Sequence, residues 1–109
     1  MSVYEAQEAA REANDMEAYA ATLHDDYQFI MHLDNSSMNK EKTMEMFTFM
    51  MSSDDFVTQD QRCLYESDEA MVTHAVMSFP DGTSEAVLAF HQIKDGQVMR
   101  METGATLLP

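Results

Sequence analysis

Residues 70–106, AMVTHAVMSFPDGTSEAVLAFHQIKDGQVMRMETGAT, decide the fold of this chain. Three strand-like runs, Ala70–Phe79, Ser84–Lys94 and Gln97–Thr106, are separated by Asp81-Gly82 and Asp95-Gly96. Asp-Gly favours a two-residue type I′ hairpin loop, because both central residues need positive φ. Two such loops predict an antiparallel three-stranded meander. They also fix its register: Val72 opposite His91, His74 opposite Ala89, His91 opposite Arg100 and Ala89 opposite Glu102. One face then carries Val72, His74, Val76, Val87, His91, Ile93, Val98, Arg100 and Glu102. The reverse carries Met71, Thr73, Ala75, Met77, Phe79, Ala86, Leu88, Phe90, Met99, Met101, Thr103 and Ala105. That second face is almost wholly apolar and is expected to receive helices.

Outward from the meander, the N-terminal half supplies those helices. Val3 to Asn14 is rich in helix formers, with Val3, Ala6, Gln7, Ala10 and Ala13 on one stripe. Asn14 or Asp15 stops it and caps a short second helix, Met16 to His24. Tyr27 to Leu33 alternates as a strand, with Phe29, Met31 and Leu33 on one face and Gln28, Ile30 and His32 on the other. After a turn at Asp34-Asn35-Ser36-Ser37, Lys40 to Ser53 shows Met44, Phe47 and Met50 or Met51 at helical spacing. Val57 to Tyr65 is strand-like but lacks clean alternation, which leaves its pairing and the environment of Cys63 open.

Composition excludes several functional classes. At 109 residues the chain holds one core, and a single domain over residues 1–109 is expected. No apolar run approaches the ~20 residues of a membrane span, and no basic-then-apolar leader is present, so a cytoplasmic location is expected. The formal net charge of -14 would repel phosphate backbones and anionic lipid, so neither nucleic acid nor membrane is an expected partner. The lone Cys63 cannot form an internal disulfide, and there is no zinc spacing. The methionines are spread without a copper-binding cluster. Neither a metal nor a cofactor is expected. Methionine is abundant, at 12 residues, which predicts a core built from flexible side chains that adapt to a cavity.

The order helix, helix, strand, helix and then a meander closing on DGQVMRMETG resembles the nuclear transport factor 2-like superfamily over essentially the whole chain. Within it, NDMEAYAATLHDDYQFIM (Asn14 to Met31) is similar to the ketosteroid-isomerase and polyketide-cyclase (SnoaL-like) pattern. The resemblance implies an α+β, cystatin-like cone: three helices from the N-terminal half packed on a curved antiparallel sheet. It implies little about chemistry, because the same fold hosts isomerases, dehydratases, cyclases and binding domains. Laid on ketosteroid isomerase without gaps, the general-base aspartate falls at Met31 and the oxyanion-donating tyrosine at Gln7. Enolisation by that route therefore lacks its base. The alignment turns Phe29, Met31 and Leu33 toward the cavity and His32 outward.

Two sets of residues are candidates for function. His74, His91, Arg100 and Glu102 share one face in the assigned register, with His74 and His91 diagonal neighbours about 7–8 Å apart. Such a cluster has the groups for acid–base work, with Arg100 available to a carboxylate. The assigned register places it away from the helices, where solvent or a second subunit meets it. The resemblance implies a homodimer through this face bearing His74, His91 and Arg100. A single β-bulge would reverse the assignment. The second set lines the expected cavity: polar Gln7, Tyr19, Thr73 and Thr103, with apolar Phe29, Met31, Phe47, Met50, Phe90, Met99 and Met101. It suits a small apolar or aromatic ligand. The expected function is ligand binding without the ketosteroid-isomerase base. The alternatives are an isomerase, dehydratase or cyclase built on a histidine, or a non-catalytic dimeric assembly module with a filled interior.

Overall fold

Side-chain caps set the helix starts in the computed structural model, which describes all 109 residues. Ser2 and Glu5 form a reciprocal capping box that opens α1 (Val3–Glu12). The Asp15 carboxylate accepts from the Ala18 N–H at the head of α2 (Met16–Ala20), and the Asn39 side chain accepts from Lys42 N–H at the head of α3 (Lys40–Ser52). The second helix stops at Ala20 rather than His24, because the Thr22 carbonyl already accepts from Val98 N–H at 2.9 Å. Leu23 then enters β1 (Leu23–Ile30) and is 1% exposed. Burying such a side chain contributes about 2 kcal/mol, more than the extra helical turn would return.

The first strand therefore begins earlier than Tyr27 and ends before Leu33. The chain turns back at Met31, whose N–H donates to the Ser36 carbonyl at 2.9 Å, into a short β2 (Ser37–Asn39) paired with β1. Leu33 sits on that turn, 82% exposed, and not toward the cavity. His32 does not point away from the helix-covered face. Its Nδ1 lies 2.8 Å from Thr103 Oγ1, and its Nε2 lies 3.8 Å from Glu85.

The remaining strands are β3 (Val57–Glu66), β4 (Ala70–Ser78), β5 (Ser84–Lys94) and β6 (Gln97–Leu107). One six-stranded sheet results, in the order β2-β1-β6-β5-β4-β3, antiparallel except where β1 runs parallel to β6. The helices pack on one face of this curved sheet as an α+β cone. β3 pairs with β4 and carries two register shifts, between Gln59 and Arg62 and between Cys63 and Tyr65, which is why its sequence does not alternate. Asp60 takes positive φ at the first of them.

The register of the meander differs from the expected one at two points. Asp95 and Gly96 both have positive φ and form the two-residue turn. At the other hairpin Asp81 does not; Gly82 N–H donates to the Phe79 carbonyl, and Phe79 N–H to the Thr83 carbonyl. Pro80-Asp81-Gly82 is thus a three-residue loop, with proline leading a turn and Gly82, at φ +87°, in the left-handed position. The added loop residue shifts the pairing by one: Thr73 faces Ala89 and Met71 faces His91. A bulge between Gln92 and Ile93 then leaves Met99 as the extra residue of β6, so His91 faces Met101 and Gln92 faces Arg100.

These shifts turn β5 over relative to the expected arrangement. Val87, Ala89, His91 and Ile93 face the helices, while Leu88 and Phe90 face out, 49% and 42% exposed. The core is built from Ala10, Tyr19, Leu23, Tyr27, Phe29, Met71, Ile93 and Val98. Met71 is the one methionine among them, so the core is not methionine-built.

Candidate functional site

A cavity of about 150 Å³ lies between the helices and the sheet and opens to solvent on one side. Eleven of its 17 lining residues are hydrophobic, and five of those are methionines: Met16, Met50, Met51, Met77 and Met101. The methionines thus line the cavity, where flexible thioethers adapt to an occupant. Tyr19 and Phe47 stand edge-to-face at 5.7 Å in one wall, and Phe47 is braced from behind by Phe29 at 6.2 Å. Phe56 belongs to the rim and contacts Phe49 and Phe79 edge-on. The sheet contributes small Ala75 and Ala89, which keep the space open.

Polar groups interrupt this apolar lining at one level. Thr73 Oγ1 and His91 Nε2 are 3.0 Å apart, each buried, and either can donate depending on the tautomer. Burial, with a smaller contribution from the positive charge of Arg11, pushes the His91 pKa down to about 4. The imidazole is neutral at pH 7. Gln7 donates from Nε2 to Thr22 Oγ1 at 3.1 Å, and Thr22 in turn donates to the Tyr19 carbonyl at 2.6 Å. Burial raises the Tyr19 pKa, which keeps its hydroxyl a hydrogen-bond donor. His91 Nδ1, Gln7 Oε1 and the Tyr19 hydroxyl make no hydrogen bond within the protein, and as atoms of cavity-lining residues they are accessible from the cavity. Buried polar atoms normally have partners. The one enclosed side-chain polar atom without a partner is Thr43 Oγ1, which does not line the cavity.

The sequence candidates divide accordingly. Gln7, Tyr19, Phe47, Met50, Thr73 and Met101 line the cavity. Phe29 lies in the core behind Phe47, and Met31 packs against the core beyond the end of β1. Phe90 is on the outer face because β5 is turned over; Met99 is the bulged residue; Thr103 bonds His32. None of these five lines the cavity. The four acid–base candidates do not form one cluster. His91 is inside, while His74 lies on the outer face, as do Arg100 and Glu102, which pair with each other at 3.3 Å. The sheet face expected to carry His74, His91 and Arg100 toward a second copy therefore carries only His74 and Arg100.

Arg11, Thr58, Gln61 and His91 were absent from the expected lining. Arg11 was readable, since it follows Gln7 by four residues on one helix and shares its stripe. So was the loop, because Pro-Asp-Gly is the signature of proline at the second position of a turn followed by a left-handed glycine. Thr58 precedes, and Gln61 lies within, the register shift between Gln59 and Arg62, which periodicity does not reveal.

No family model matches the sequence, and no curated protein matches it. Solved structures do match it in fold. A steroid delta-isomerase from Pseudomonas aeruginosa superposes with a TM-score of 0.73 at 13% identity, over 95% of this chain and 77% of that one. A nuclear transport factor 2-like protein of unknown function from Cytophaga hutchinsonii gives 0.75 at 11% identity, over 95% and 87%. A protein with a ketosteroid-isomerase-like fold from Catenulispora acidiphila, solved in complex with trimethylamine, gives 0.69 at 11%, over 94% and 83%. The element order, the curved sheet and these superpositions agree: the chain has the nuclear transport factor 2-like cone fold.

Proposed function

We propose that the protein binds a small, single-ring molecule carrying a hydrogen-bonding group, held in the cavity between helices and sheet. The observation that carries this reading is that His91, Gln7 and Tyr19 line one largely apolar cavity, where His91 Nδ1, Gln7 Oε1 and the Tyr19 hydroxyl have no partner within the protein and are open to an occupant. The volume suits the size: an apolar cavity of about 150 Å³ accommodates benzene. Apolar contact comes from Phe47, Met50 and Met101, and the polar atoms orient the ring substituent. Calorimetric titration with benzyl alcohol tests it. Saturable binding that is lost in Ala89→Leu, whose larger side chain grows into the cavity, is the expected result; absence of binding at millimolar concentration contradicts it.

His91 inside the cavity favours a second reading, acid–base catalysis on such a molecule. Its unpaired nitrogen is available to a substrate proton. Against this, a pKa of about 4 makes it a weak base at neutral pH, and no carboxylate lines the cavity to assist it. Binding is the better supported of the two. The open volume also argues against an assembly-only module, which requires a filled interior.

We further propose a homodimer through the outer sheet face, which exposes Tyr65, Leu88 and Phe90 around His74 and the Arg100–Glu102 pair. Sedimentation equilibrium of Leu88→Lys is expected to show the monomer; an unchanged mass contradicts this surface. No helix is long and apolar enough to cross a membrane.

A further inference from the structure

The cavity lining reverses the charge balance of the chain. The sequence has 20 acidic and 6 basic side chains, yet the one ionised residue lining the cavity is Arg11, and no carboxylate joins it there. Arg11 lies one turn beyond Gln7 on α1, so the guanidinium and the buried amide project from the same stripe. Glu8 pairs with one terminal nitrogen, and Gln61 Oε1 lies 3.4 Å from the other. Those contacts engage two of five N–H donors, which leaves the planar fork able to meet a second, planar anion. The Arg11 charge is felt at both Tyr19 and His91, where it favours the deprotonated forms. At a net charge of -14 the protein as a whole repels anions, so the Arg11 guanidinium, shared with Glu8, is the local feature of the cavity that favours one.

We propose that the cavity selects a monocyclic aromatic carboxylate, with the ring against Tyr19, Phe47 and Met101 and the carboxylate at Arg11. The Tyr19 hydroxyl is the second donor to the anion. This inference rests on the cavity being a binding site for a small ring, and adds the charge of its occupant. The volume is filled by about one ring, which places the carboxylate at the open side, beside Arg11.

Three probes of nearly identical shape test it: benzoate, benzamide and benzamidine, titrated calorimetrically at pH 7. Benzoate is expected to bind about tenfold more tightly than benzamide, with benzamidine weakest. Arg11→Met is expected to abolish the preference for benzoate over benzamide. Glu8→Gln, which releases the guanidinium, is expected to increase that preference and supplies the test should Arg11→Met not fold. Benzoate binding no better than benzamide, or a benzoate preference that survives Arg11→Met or fails to rise in Glu8→Gln, overturns the inference while leaving the binding cavity standing. If none of the three binds, the cavity reading falls as well.

Discussion

Thr73 Oγ1 and His91 Nε2 lie 3.0 Å apart across β4 and β5, and a single loop residue puts them there. With a two-residue loop at Asp81-Gly82, His91 would share a face with His74. The three-residue loop Pro80-Asp81-Gly82 turns it inward, onto Thr73. Thr73→Val preserves shape but leaves the buried imidazole without its partner. It is expected to cost about 1–2 kcal/mol in urea unfolding, with Thr73→Ser recovering most of it. Equal stability of Thr73→Val and the parent protein would mean that the pair contributes nothing.

The depressed pKa of His91 makes stability depend on pH in a defined window. The unfolded imidazole titrates near 6.5 and the folded one near 4, so the unfolded state binds the proton first as pH falls. Stability from this group is complete above about pH 6.5, declines as pH falls toward 4, and the full loss is about 3 kcal/mol. Comparing urea unfolding at pH 7 and pH 4.5 for the parent protein and His91→Gln isolates the group from the carboxylates. The parent is expected to lose more stability than the variant over that interval; parallel losses would show that His91 is not held neutral by burial.

Gly82 and Gly104 separate backbone conformation from packing. A Cβ added at either meets no atom within 4 Å, but only Gly82, at φ +87°, is in the left-handed region. Gly82→Ala is expected to lower stability by about 1 kcal/mol through backbone strain alone, and Gly104→Ala to be neutral or mildly stabilising. Thermal unfolding of the two variants checks the pair. A Gly104→Ala loss as large as that of Gly82→Ala would contradict it.

Leu23 anchors the parallel join of β1 to β6 and is 1% exposed against Val98. Leu23→Ala is expected to cost about 3 kcal/mol, the transfer term plus an unfilled cavity. A loss below about 1 kcal/mol in urea unfolding would show that the site collapses around the smaller side chain.

Periodicity and caps are local properties, and the elements they govern are legible in the sequence. α1, α3, the strands of the meander and the Asp95-Gly96 turn follow from spacing, capping side chains and the need for positive φ, and together they identify the cone. Sheet faces are not legible where a one-residue difference propagates. Pro80 lengthened one loop and Met99 bulged from β6; because side chains alternate with a period of two, each shift exchanges faces. That is why His91 was expected outside and Phe90 inside, whereas Met101 was placed correctly. His32 and Leu33 differ from expectation because the chain turns back at Met31, whose N–H bonds the Ser36 carbonyl, so the turn starts before the Asp34-Asn35-Ser36-Ser37 signal and β1 ends at Ile30. Gln7 and Tyr19 line the cavity as their helical positions predict, because a helical stripe is insensitive to such shifts.

Methionine methyl NMR tests the central claim directly, since the cavity carries its own reporters. On titration with benzyl alcohol, the methyl resonances of Met16, Met50, Met51, Met77 and Met101 are expected to shift together and saturate. Met1, 92% exposed, and Met38, which does not line the cavity, are expected to stay in place. Shifts spread evenly over all the methionines, or none up to millimolar probe, would contradict a binding cavity between the helices and the sheet.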